Sequence, residues 1–219
     1  PSCLSNPATT ELSTPPDMAT TTVVSDGSLL NPSVFIITLL LSLKIIYDPS
    51  SIMPEVFIQG GEGKLQAKYS PSEQDKPNIA IVLHPNPKHG GTMDTKVNYA
   101  AFKVMKDAGF STLRINFRGV GKSDGAFTEG EGELNDASVS LDWLQKKNED
   151  FRSCWIVGFS FGAWIGFQTL MRRPEVDGLI LIAPPVNLYD FNFLSPCPIK
   201  TLVIRAEQDE IVKKDSLKE

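Results

Sequence analysis

The sequence predicts an open α/β fold, with a mostly parallel sheet and helices on both faces. Three observations predict it. Short apolar runs alternate with longer stretches whose apolar residues recur at helical spacing. The runs are too apolar to be half exposed, so they belong to strands covered on both sides. Glycines and prolines fall at the joints between the two kinds of segment. Crossovers between parallel strands are then expected to be right-handed.

The elements follow in order. Residues 54–70, PEVFIQGGEGKLQAKYS, read as two short strands around a Gly-rich turn, a hairpin. NIAIVLHP, residues 78–85, is an apolar run bounded by prolines and reads as a buried strand. In TKVNYAAFKVMKDAG the residues Val97, Ala100, Ala101, Val104, Met105 and Ala108 share a helical face, and Gly109 is a C-terminal stop. FSTLRINF, 110–117, is the next strand. In GELNDASVSLDWLQKK, 132–147, Leu134, Ala137, Val139, Leu141 and Leu144 fall mostly on one face of a helix. SCWIVGF, 153–159, is a strand, and FGAWIGFQTLMRR, 161–173, is a helix closed by Pro174. VDGLILIAPP, 176–185, and PIKTLVIRA, 198–206, are two further strands.

The first fifty residues differ. Residues 1–33 are rich in Ser, Thr and Pro and show no apolar period, so disorder is expected. VFIITLLLSLKIIY, residues 34–47, is apolar but shorter than the roughly twenty residues of a membrane span. It lies too far from the start for an ordinary signal peptide. Membrane attachment through it stays open beside the plainer reading of an irregular leader. The expected organisation is a leader over 1–52 and one globular domain over 53–219, with Met53 a candidate start.

Composition narrows the partners. The 219 residues are 41% hydrophobic and 21% charged, with a formal net charge of -5, which suits a globular protein and argues against nucleic acid. Cys3, Cys154 and Cys197 match no zinc spacing and no disulfide framework, so a reducing, cytoplasmic setting is expected. No ligand cluster implies a metal or an organic cofactor. The chain holds only two histidines, His84 and His89.

The chemistry concentrates at Gly158-Phe159-Ser160-Phe161-Gly162. A buried strand ends and a helix begins within this pentapeptide. Ser160 is therefore expected on a sharp strand-to-helix turn at the carboxyl edge of the sheet, where open α/β sheets bind ligands. The flanking glycines remove Cβ atoms that would meet neighbouring backbone. The helix N-terminus offers N–H groups to an oxyanion.

From about residue 53 the chain resembles the α/β hydrolases. Besides the Ser160 turn, three stretches carry the likeness. HPNPKHGGTMD, 84–94, resembles the HPHPxxGGTMxN loop of a subfamily of small bacterial serine hydrolases. RGVGKSDG, 118–125, resembles an R-G-x-G-x-S loop, most simply a structural turn. RAEQDEIV, 205–212, resembles the strand end that carries the catalytic acid. The resemblance implies Ser160 as nucleophile, the N–H of Phe161 as one oxyanion donor and Asp209 as the acid. It implies a second donor from the loop after His84, and since Pro85 and Pro87 have no N–H, Asn86 is the candidate. His84 is expected to brace that loop, and His89 to line the pocket entrance. Tyr189, Phe191 and Phe193 either wall an apolar pocket or pack on the core. No lid insertion is evident between residues 182 and 198.

A Ser–His–Asp mechanism also needs an imidazole after the acid, and no histidine follows Asp209. Three explanations stay open. The chain is C-terminally incomplete, lacking the last helix and strand and the base; or the fold has become a non-catalytic binding module; or His89 serves as base. The expectation is a serine hydrolase of esterase or amidase type, acting through an acyl-enzyme on a small ester or amide, whose activity in the chain as given is in doubt. A missing strand would leave an unpaired sheet edge, hence self-association.

Overall fold

The computed structural model describes residues 8–11, 21–25, 54–194 and 197–206. These form a nine-stranded mixed sheet with helices on both faces, as expected. Its strands are β1 (Ala8–Glu11), β2 (Thr21–Ser25), β3 (Glu55–Gly60), β4 (Gly63–Ser70), β5 (Asn78–Leu83), β6 (Ser111–Ile115), β7 (Ser153–Phe159), β8 (Gly178–Ile182) and β9 (Lys200–Ala206). The helices are α1 (Lys96–Asp107), α2 (Glu131–Lys147) and α3 (Phe161–Leu170). Strand order across the sheet is β1-β2-β9-β8-β7-β5-β6-β4-β3. β6, β5, β7, β8 and β9 run parallel. The hairpin β3–β4 joins antiparallel to β6, closing through Gly61 and Glu62.

The parallel strands are apolar along their whole length because both faces are covered. Ile79, Ile81 and Leu83 of β5 point to one core with Ile156, Leu179 and Val203, beneath α2 and α3. Ala80 and Val82 point to the other, with Val157, Ile180, Ile204 and the α1 residues Ala101, Phe102 and Met105. The period of two therefore sorts a continuous apolar run into two cores. Each large side chain so buried contributes about 1.5–3 kcal/mol.

Two expectations are corrected. Residues 8–11 and 21–25, expected to be disordered, form β1 and β2. Nor is β9 left as an open edge: β2 pairs antiparallel along it, from Thr21↔Ala206 to Ser25↔Leu202. A strand edge offers unsatisfied N–H and C=O groups, and β2 supplies their partners regardless of apolar pattern. The outermost strand on that side of the sheet is then β1 rather than β9. The apolar stretch 34–47, the proposed start at Met53 and the acid Asp209 lie outside the described residues. No helix among the described residues is long and apolar enough to cross a membrane.

The strand order fixes where a ligand can bind. From β5 the chain moves to β6 on one side, then returns to β7 on the other. Such a reversal opens a crevice beyond the carboxyl ends of the two strands. The segments leaving β5 and β7 are those that carry Asn86 and Ser160.

Candidate active site

Ser160 stands between β7 and α3 with φ 53° and ψ -117°. A non-glycine residue rarely adopts a positive φ, so the turn is strained and the surrounding contacts hold it. The N–H of Ser160 donates to the carbonyl of Ile182 at the end of β8 (2.9 Å), and the Ser160 carbonyl accepts from Ala163 N–H (2.8 Å). The residue is half-buried, neither interred nor on an open surface.

The glycines on either side are required by crowding. A Cβ on Gly158 would lie 2.5 Å from Ala163 Cα and strike the Gly162 carbonyl oxygen. A Cβ on Gly162 would lie 2.7 Å from the His84 carbonyl oxygen and meet Leu83. α3 therefore approaches both the strand it leaves and the strand beside it, bringing the loop after β5 next to Ser160.

That loop is held from several directions. His84 is buried, Phe117 N–H donates to its Nε2 (3.1 Å), and its Nδ1 faces the Pro85 carbonyl (2.7 Å). A carbonyl can only accept, so Nδ1 carries the proton and the ring is neutral. Burial pushes its pKa down to about 4. His84 thus braces the loop, as expected, and has no nitrogen left for proton transfer. The Asn86 carbonyl accepts from His89 N–H and Gly91 N–H, each at 3.1 Å. Gly90, at φ 76°, closes the short 3-10 turn Pro87–His89.

The Asn86 side chain is engaged at both ends. Its Oδ1 accepts from Lys88 N–H (2.8 Å), and its Nδ2 donates to the Tyr189 hydroxyl (3.2 Å). Its own N–H meets no acceptor among the described residues, and neither does that of Phe161, the first residue of α3. The first N–H groups of a helix have no partner in the helix's own ladder.

Tyr189 sits on the turn after β8. Its N–H and that of Leu188 donate to the Pro185 carbonyl (3.1 and 2.9 Å). The ring stacks on Trp164 of α3, with centroids 4.5 Å apart and planes at 25°. Trp164 Nε1–H donates to the Asp190 carbonyl (3.2 Å). Phe161 lies beneath, edge-on to Tyr189 and Phe127 (5.9 and 5.5 Å). Phe191 and Phe193 instead pack on Phe167 (5.4 and 5.2 Å). Of the three aromatics expected to wall a pocket or pack on the core, Tyr189 is thus the one joined to the Asn86 loop. At the rim, Lys88 pairs with Glu129 and lies over the Phe127 ring (5.5 Å). Trp164, Phe127 and Glu129 were not singled out in the sequence; the only local signal is that Trp164 lies one helical turn beyond Ser160.

The side chain of His89 is exposed and makes no hydrogen bond to Ser160 among the described residues. The loop 118–125 is structural. Arg118 donates from N, Nε and Nη2 to the buried Asp136 carboxylate (2.9, 3.1 and 2.8 Å) and from Nη1 to Glu62 (2.8 Å). Ser123 Oγ donates to the Asn116 carbonyl and accepts from Gln66 N–H (2.8 and 2.9 Å).

Residues 88–205 match the family described as serine aminopeptidase, S33. An uncharacterized protein of Rickettsia prowazekii is 47% identical over 170 residues, 76% of this chain and 71% of that one. A protein of unknown function from Agrobacterium tumefaciens is 48% identical with a TM-score of 0.72, covering 75% of this chain and 76% of that structure. A lidless α/β serine hydrolase from Xanthomonas campestris is 32% identical with a TM-score of 0.70, covering 77% of each chain.

Proposed function

Because this chain belongs to the serine aminopeptidase S33 family of α/β hydrolases, we propose that it is a serine hydrolase of esterase or amidase type acting through an acyl-enzyme on Ser160. The observation that carries this reading is the strained turn of Ser160, with the N–H groups of Phe161 and Asn86 meeting no acceptor among the described residues. In the proposed reaction Ser160 Oγ attacks the carbonyl carbon of a small ester, thioester or amide. The oxyanion that forms takes the two N–H groups, a contact stronger in the transition state than in the substrate. The alcohol, thiol or amine leaves, and water releases the acid from the serine ester.

Asp209, three residues past the end of β9, is the proposed acid. Tyr189 and Trp164 are the proposed wall for the acyl group, with His89 at the entrance. The likeness to a lidless hydrolase supports an open pocket with specificity set by these few side chains.

One observation favours a second reading, a non-catalytic binding protein of the same fold. Both nitrogens of His84 are occupied, and His89 has no bond to Ser160 among the described residues, so neither histidine is assigned as the base. A fluorophosphonate probe, which phosphonylates activated serines, separates the two. The hydrolase reading expects the full-length gene product to be labelled at Ser160 and S160A to remain unlabelled. A folded, unlabelled protein would leave the binding reading in its place.

A further inference from the structure

We propose that Tyr189 is a positioning residue that holds the oxyanion loop in register with the nucleophile helix. The inference rests on the reading of Ser160 as nucleophile and adds to it a residue acting through Asn86. The two proposed donors belong to different elements. Phe161 N–H opens α3, and Asn86 N–H lies on the loop after β5. Backbone contact alone brings these elements close, through Gly162 against Leu83 and His84. It does not by itself set the rotation of the Pro85–Asn86 peptide that carries the Asn86 N–H, whose carbonyl end is held from the β5 side by His84 Nδ1–H.

Tyr189 adds the restraint that comes from the α3 side. Its ring is fixed to α3 by the stack on Trp164, and Trp164 is itself tied to the Asp190 carbonyl. Its hydroxyl accepts from Asn86 Nδ2, while Asn86 Oδ1 is taken by Lys88 N–H. With both ends of its side chain held, Asn86 keeps its N–H without an acceptor among the described residues and its carbonyl turned to His89 and Gly91. One tyrosine thus links the helix carrying the first donor to the loop carrying the second. Displacement of a catalytic group by about 1 Å can cost a hundredfold in rate, so a single polar tether is enough to matter.

Tyr189→Phe removes the hydroxyl and keeps the ring on Trp164. The expected result is a fall in the maximal rate of fluorophosphonate labelling on the order of tenfold, a fraction of the hundred- to thousandfold that follows loss of a donor outright. The probe's half-saturating concentration should not change. Asn86→Ala should lower the rate at least as much, and adding Tyr189→Phe to it should cost nothing further. Amide hydrogen exchange at His89 and Gly91 should quicken in Tyr189→Phe at an unchanged melting temperature. A raised half-saturating concentration with an unchanged maximal rate would make Tyr189 a wall contact only and overturn the proposal. Additive losses in the double variant would overturn it too. If the parent protein is not labelled at all, the nucleophile reading fails separately, and exchange decides the tether. Faster exchange in Tyr189→Phe upholds it, and equal exchange overturns it.

Discussion

Leu83 and Gly158 are register partners at the carboxyl ends of the adjacent parallel strands β5 and β7. One residue beyond Leu83 begins the loop braced by His84, and two beyond Gly158 stands Ser160. This pairing at the sheet's reversal point places the proposed nucleophile and its second oxyanion donor side by side.

The close fit around that pairing predicts a steep cost for any side chain there. Gly158→Ala and Gly162→Ala each drive a methyl group into backbone atoms, which cannot rotate aside. Each should lose at least about 3 kcal/mol in urea unfolding, above the usual cost of overpacking. A loss below about 1 kcal/mol would show that α3 can withdraw from β5.

The neutral, buried imidazole of His84 predicts an acid-sensitive fold. The ordinary pKa of 6.5 applies to the unfolded chain, and about 4 to the folded one. The folded pKa is the lower, so the contribution of His84 is fully present above pH 6.5 and is lost as the pH falls toward 4. The difference of 2.5 pH units corresponds to about 3 kcal/mol. NMR titration checks this directly: the His84 ring should stay neutral at pH 5.5, and a midpoint near 6.5 would contradict its place in the loop.

The buried ion pair of Arg118 and Asp136 predicts asymmetric damage. Asp136 is 1% exposed and takes three N–H groups from Arg118. Asp136→Ala strands the guanidinium and should cost about 3–5 kcal/mol. Glu62→Gln, at the half-exposed end of the same guanidinium, should cost under about 1 kcal/mol. Equal losses in denaturant melts would count against this division.

Cys154 should be inert in the native state. Burial pushes its thiol pKa up to about 12, so almost no thiolate is present at neutral pH. Mass-mapped alkylation should modify Cys154 only after denaturant is added. Native modification at a rate near that of a free thiol would show that β7 opens locally.

The parallel core was legible because apolar runs such as 78–83 and 153–159 have no polar face to hide. The Ser160 turn was legible because two glycines at fixed spacing mark crowding that only the absence of Cβ relieves. β1 and β2 were not, since four or five residues carry no measurable period and their place depends on the backbone groups of β9. The Tyr189–Asn86 bond was not, because its partners are 103 residues apart and meet only once β5, β7 and β8 are aligned. Tyr189 could be named as an aromatic near a pocket, but its tie to the oxyanion loop is a product of the tertiary fold.

The central claim is tested most directly by a crystal structure of the full-length gene product after reaction with a fluorophosphonate. The account predicts phosphorus bonded to Ser160 Oγ, with its free oxygen about 2.7–3.1 Å from both Phe161 N and Asn86 N. Phosphorus on another residue, or an oxygen turned away from these two amides into solvent, would contradict it.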